Sequence, residues 1–502
     1  MGGICGFISK QNITLNDLNA MNRTLKRRGP FDSGSEIYVA HREYMAGLAS
    51  NRLPIRDSSY YAHQPMRSID GRASIVFDGE LYNADSLREE LKDYSFRSLS
   101  DTEVILASYL KWGISFPEHL DGMFAVAVYD ADEEALYLAR DPLGQKPLYY
   151  ETAGTGEKPD LYFGSTLSPI MKRPDFVRVP DTDVIASFLE TQYTDGISTL
   201  FRNVKKVAPG CILRFSPSSG KEPALSESRY FSSEKAALSM AEYPVTDPEE
   251  GARMLHALIR DSLRRVLQKD VPFGIMLDGD PFFLLIAKMA AKESGGLLHT
   301  YTPGLADTPY PAPEGTAAMA ELLGSPHTFV RLSDKEILSV IRKLPRIFDD
   351  PVADPSLIPD TITFGMMSKD VRLALSGYTL FPWDPPSGGS VLPMAKKLTL
   401  KLRSLLVKEF SGSASSEEEG GLKGLVSGMM LSGTGKDSGR DYALFASLPE
   451  RDRERKLFSS DRSAMYHSLE IRHPLIDPSV FSYLLRLLSS PDSGKRKDGH
   501  KN

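Results

Sequence analysis

A chain of 502 residues, 41% apolar and 25% charged, exceeds what one core can organise and points to about two to four globular domains. Its formal net charge is -6, and its only basic cluster is the short tail Lys495, Arg496, Lys497 and Lys501, so no nucleic-acid partner is expected. Two cysteines, Cys5 and Cys211, exclude a disulfide framework, and neither a leader pattern nor a run of about 18 apolar residues is present, so a cytoplasmic protein with no membrane partner is expected.

In chain order, Ile75-Val76-Phe77, Phe124 to Tyr129 and Leu136-Tyr137-Leu138 read as strands, with turn residues between them. Asp101 to Tyr109 reads as a helix capped by Ser100 or Asp101. Strands interleaved with helices suit a layered α+β sandwich over residues 2–215. Residues 216–246 are polar and read as a linker. A second domain is expected over 247–485. It opens on a helix marked by Met254, Leu258, Leu263 and Leu267, then the strand Phe273 to Leu277 and a helix from Phe283 to Ala291. The segments around Leu338 and Leu373 and from Leu398 to Leu406 are expected to be mostly helical. Residues 384–440, rich in Gly, Ser and Glu, read as a disordered insert, and 486–502 as a polar tail. Leu431 to Arg440 superficially resembles a phosphate loop, but Lys436 is followed by Asp437 and the motif's first glycine falls at Met430.

Several strings occur in a telling order: Gly3-Ile4-Cys5-Gly6-Phe7, Arg28-Gly29-Pro30, Asn51-Arg52-Leu53-Pro54-Ile55, Phe77-Asp78-Gly79-Glu80-Leu81-Tyr82-Asn83 and Ala139-Arg140-Asp141-Pro142-Leu143-Gly144. Asp349-Asp350-Pro351 and Asp461-Arg462-Ser463 through Leu469-Glu470-Ile471-Arg472 follow. Together they resemble the glutamine-hydrolysing asparagine synthetases. The resemblance implies an α+β N-terminal-nucleophile glutaminase domain of four αββα layers, then an α/β ATP-pyrophosphatase-like domain. It further implies that Arg52, Gly79, Glu80 and Asp101 hold glutamine, the arginine fork on the α-carboxylate and the carboxylates on the α-ammonium. A homodimer is also in keeping with it, as are ATP and Mg2+ as cofactors if the second half is active.

The chain departs from the family at both active sites. The nucleophilic cysteine that follows the initiator methionine is replaced by Gly2. Cys5 lies three residues further along the strand and so on its other face, as a small apolar residue unless proteolysis exposes it. The oxyanion position, Asn-Gly in the family, is Asp78-Gly79, and a carboxylate cannot donate. The nucleotide loop, Ser-Gly-Gly-x-Asp-Ser in the family, reads Asp278-Gly279-Asp280-Pro281-Phe282 after Leu277. A second loop starting Leu375-Ser376-Gly377 lacks its acidic pair, and a C-terminal helix with a catalytic lysine is expected to be missing.

The leading expectation is a pseudoenzyme with a glutamine-shaped pocket. The alternative is an active ligase making asparagine, AMP and pyrophosphate from aspartate, ATP and ammonia or glutamine. A metal-binding Asp278-x-Asp280 of a sugar-nucleotide transferase is the third reading, and a solvated turn outweighs it.

Overall fold

The computed structural model describes residues 1–40, 43–153, 159–192, 194, 196–217, 224–232, 235–236, 239, 247–267, 271–277, 281–296, 298–305, 316–354, 356–378 and 442–489. One compact unit joins Met1–Ser232 to Val330–Ala374 and Arg451–Ile471, and a second takes the described residues of the intervening and following segments. Division by compactness therefore runs through the segment 247–485 expected as the second domain.

The first unit is built on two six-stranded sheets. One orders its strands Val204–Lys206, Tyr149–Ala153, Asp160–Gly164, Gly2–Ser9, Met45–Arg52 and Asp32–Val39. The other orders Leu225–Arg229, Cys211–Phe215, Ala135–Arg140, Gly122–Asp130, Ala73–Leu81 and Met66–Arg67. The strand Gly2–Ser9 shows how the layers arise. Successive side chains alternate, so Ile4 and Ile8 enter the core between the sheets with Leu138, Phe163 and Leu213. Cys5 and Phe7 point the other way, onto Leu18 and Met21 of the helix Leu15–Arg23. That helix is held at its start by a capping box between Thr14 and Asp17. On the far face of the second sheet, the helix Asp101–Trp112 packs Val104, Ile105 and Leu106 against Ile75, Phe77 and Val126, and Ser100 caps it. Helix, sheet, sheet and helix give the four αββα layers expected. A third sheet has five strands in the order His327–Leu332, Leu298–Leu305, Phe273–Met276, Leu373–Leu375 and Glu470–Arg472. Phe273–Met276 and Leu298–Leu305 pair in parallel, the α/β pattern of the second half.

Several local expectations change. The helix Pro248–Val266 buries Ala252, Leu255, Ile259, Leu263 and Val266, while Met254 is half exposed. Both stripes have helical spacing, and the continuous apolar one faces inward. Leu373 lies in a strand, because three apolar residues flanked by sheet partners suffice for a fully buried central strand. Within the expected linker, Leu225–Arg229 forms an edge strand on Cys211–Phe215. The helix Pro478–Ser489 continues past the start of the expected tail. The expected insert 384–440, the phosphate-loop-like stretch and Leu398 to Leu406 lie outside the described residues, as do residues 490–502.

Leu138, fully buried between the sheets, tests this layer: Leu138→Ala is expected to destabilise the unit by about 2–5 kcal/mol, read from urea denaturation midpoints.

Candidate functional site

Gly2, the nucleophile position, pairs with Arg52 across the first sheet, and Arg52 pairs with Asp32 on its other side. The Gly2 backbone has φ +149°, and a Cβ built there would stand 1.8 Å from the Asn51 carbonyl oxygen. Only glycine fits this backbone. The Gly2 N–H donates to Asp78 Oδ1 at 2.9 Å, so the carboxylate that replaces the oxyanion amide is aimed at the nucleophile position itself.

Asp78 is completely buried, and its charge is met by cations. Arg28 Nη2 lies 3.0 Å from Asp78 Oδ2, and Lys146 Nζ lies 3.9 Å from Asp78 Oδ1. Both cations also hold Asp461: Arg28 Nη1 at 2.6 Å and Lys146 Nζ at 3.1 Å. Arg28 Nε completes the arrangement by donating to the Gly2 carbonyl at 2.7 Å, and Ser165 Oγ donates to Asp78 at 3.3 Å. Two cations and two carboxylates thus form one closed, neutral cluster around Gly2. Burial alone would raise the Asp461 carboxyl, but Arg28 and Lys146 outweigh it and hold the group well below the ordinary carboxylate range. Burial likewise works against the charge on Arg28, and Asp461 and Asp78 push its pKa up.

The residues expected to hold glutamine gather at the same end of the sandwich. Arg52 is buried, with Nη1 3.2 Å from Asp32 Oδ2 and Nη2 donating to the Asp57 carbonyl at 2.7 Å. Glu80 is buried on Ala73–Leu81 opposite Met123. Gly79 has φ +156°, and a Cβ built there would stand 2.1 Å from the Met123 carbonyl oxygen. Asp101 opens its helix, accepts the Leu81 N–H at 2.9 Å and pairs with Arg56 at 3.4 Å. Met1 is buried beside Arg52 and Glu80. Its side chain packs on Leu53, Met123 and Met465, flanked by Ile55 and Tyr82. Burial lowers the pKa of its α-ammonium, Asp78, Glu470 and Glu80 raise it, and Arg52 lowers it further.

Cys5 is a buried thiol whose pKa is pushed far up by desolvation, so it is no substitute nucleophile. Arg28 and Asp461 sit in strings legible in the sequence and Lys146 lies two residues beyond another, but their joint role around Asp78 was not legible. An aspartate in place of an amide, inside a wholly buried strand, is the signal that demands such cations.

In the second unit, Asp278, Gly279 and Asp280 lie outside the described residues. Leu277 is buried and donates its N–H to the Tyr301 carbonyl at 2.7 Å. Leu375 and Ser376 are buried, and the Ser376 N–H goes to the Arg472 carbonyl at 2.9 Å. Gly377 is pressed against the first turn of the helix Pro281–Ser294, where a Cβ would be 2.5 Å from the Phe283 backbone N and Cα. Tyr378 packs edge-on against the Phe283 ring, centroids 5.3 Å apart. A helix start holds phosphate through free N–H groups and open space. Pro281 has no N–H, and Phe283 is covered by Gly377 and Tyr378.

Fold and site together define a glutamine amidotransferase-type domain followed by a synthetase-type α/β domain. Residues 1–253 match the family described as glutamine amidotransferase domain, and residues 254–379 match asparagine synthase. The chain belongs to the glutamine-hydrolysing asparagine synthetase family. It is 28% identical to asparagine synthetase [glutamine-hydrolyzing] 1 of Bacillus subtilis, over 96% of this chain and 79% of that one. Asparagine synthetase [glutamine-hydrolyzing] 3 of the same organism is also 28% identical, over 96% of this chain and 80% of that one. The Saccharomyces cerevisiae asparagine synthetase [glutamine-hydrolyzing] 1 is 30% identical over 57% of this chain and 42% of its own length.

The cluster makes two checkable statements. Removing one partner of a buried ion pair costs about 3–5 kcal/mol, so Asp461→Asn should lose stability of that order at pH 7. The Asp461 carboxyl is held below its unfolded value of about 3.9, so its contribution is present above that pH and is lost as pH falls through the folded value. Urea titrations from pH 7 to pH 3 should therefore show a steeper acid loss in the parent chain than in Asp461→Asn.

Proposed function

We propose that this chain is a catalytically degenerate member of its family, a pseudoenzyme whose retained amino-acid pocket binds glutamine for a binding or regulatory purpose rather than hydrolysing it. The observation that carries this reading is the Gly2 position. A nucleophile needs a Cβ and a side chain there, and the Asn51 carbonyl stands 1.8 Å from where that Cβ would be. The oxyanion position adds to it. Asp78 is a charged acceptor already engaged with Gly2, Arg28 and Lys146, whereas a developing oxyanion needs donors. The nucleotide loops of the second unit support the same reading through the poor fit at Pro281, Phe283 and Gly377. Arg52, Glu80 and Asp101 supply what an α-amino acid requires: a guanidinium for its carboxylate and carboxylates for its ammonium.

Restoring the thiol tests the reading. Gly2→Cys is expected to release no ammonia from glutamine and to destabilise the chain by about 2 kcal/mol or more, because the new Cβ strains φ and meets backbone. Ammonia release by Gly2→Cys, or AMP formation dependent on aspartate and ATP in the parent chain, would overturn it. Arg52→Ala in a chain that binds glutamine should abolish that binding, measured by calorimetry.

A further inference from the structure

We infer that Arg56 sets the affinity of the amino-acid pocket: it is a cation of the chain itself that holds Asp101 in place of the ligand's α-ammonium, and glutamine must displace it to bind. The inference rests on the pocket reading above and concerns a residue that reading leaves unused. Arg56 stands four residues after Arg52, on the segment that leaves the strand Met45–Arg52. Its Nη1 lies 3.4 Å from Asp101 Oδ1, and its Nη2 donates to Asp85 Oδ1. Asp101 Oδ2 accepts the Leu81 N–H at 2.9 Å, so Arg56 is on the oxygen that this N–H does not hold. Glu80, the second carboxylate expected to receive an ammonium, lies in the same field. Burial works against the Arg56 charge, and Asp101, Asp85 and Glu80 outweigh it and push its pKa up.

The segment is built for exchange. Arg52 Nη2 donates to the Asp57 carbonyl at 2.7 Å, and Asp57 Oδ2 accepts the Leu99 N–H at 3.0 Å, so the residue next to Arg56 is fastened from two sides. The Arg56 side chain is held less firmly. It is 32% exposed and its outer partner Asp85 is 81% exposed, so solvent screens that pair and little free energy is lost when it rearranges. The Asp101 side chain is only 6% exposed and requires a cation. An α-ammonium can supply that charge, and a guanidinium crowded onto the same oxygen would repel it. Binding is then an exchange of one cation for another, with Arg56 turning outward to Asp85 and water.

If Arg56 is off Asp101 in about one chain in ten, the apparent affinity for glutamine is about a tenth of the intrinsic one. A ligand with the same carboxylate and side-chain amide but no α-amine makes no demand on Asp101, and Arg56 does not compete with it. Both ligands must draw Arg52 from Asp32, 3.2 Å away, and that cost cancels when they are compared.

The test titrates glutamine and 4-carbamoylbutanoate, which is glutamine without its α-amine, into the full chain, Arg56→Ala and Arg56→Gln by calorimetry. Urea denaturation checks that each variant folds. Arg56→Gln keeps a hydrogen-bond donor for Asp101 and serves if Arg56→Ala does not fold. The expected result is glutamine binding about tenfold tighter in the variants, with little change for 4-carbamoylbutanoate. Glutamine affinity that is unchanged or weaker in the variants overturns the inference and leaves the pocket reading standing. A gain shared equally by both ligands also overturns it, because that gain comes from a loosened segment and not from competition at Asp101. If no form of the chain binds glutamine, the pocket reading itself fails and the inference falls with it.

Discussion

The closed cluster of Arg28, Lys146, Asp78 and Asp461 is the constraint on which the first unit depends. Buried charges are tolerated only when each has partners, because desolvation of an isolated ion is far more costly than any single contact repays. Here each cation touches both carboxylates, and Arg28 also holds the Gly2 carbonyl. The cluster fastens the first strand, the loop that carries Arg28, the second sheet and the helix Tyr442–Met465 to one point. Asp78 cannot be exchanged for the family's amide without leaving two cations to share Asp461.

The glycine at residue 2 and the charge at residue 78 belong together. With no Cβ at residue 2, the strand draws against Asn51 and places its N–H on Asp78. A carboxylate at that point accepts where an oxyanion hole would donate, so the electrostatic sense of the site is inverted while its walls are kept. In the function proposed above, Arg52, Glu80 and Asp101 form those walls.

The second unit tells a parallel story by packing rather than charge. A phosphate-holding helix start needs small residues and free N–H groups, and this one begins with Pro281 and carries Phe283 beneath Gly377 and Tyr378. The aromatic pair covers the first turn of that helix with apolar surface. The core layers of the first unit are fully packed.

The short apolar runs Ile75-Val76-Phe77 and Phe124 to Tyr129 and the cap at Ser100 were enough to read a layered α+β sandwich, because pattern and capping are local properties, while the ordered strings carried the resemblance that implied the family and its four αββα layers. The absence of a thiol at residue 2 and the exchange of an amide for Asp78 were equally plain. The inward stripe of Pro248–Val266 and the strand at Leu373 were not, since two stripes of equal period, or a run of three apolar residues, are told apart only by what packs on them. Nor was the fate of Asp78: its partner Arg28 lies 50 residues away, and Arg28 is in turn 433 residues from Asp461. Sequence alone determined which of the family's residues are absent at positions 2 and 78. Only the tertiary structure decided what replaced them, because neutralising a buried charge depends on residues that meet through folding and not through proximity along the chain.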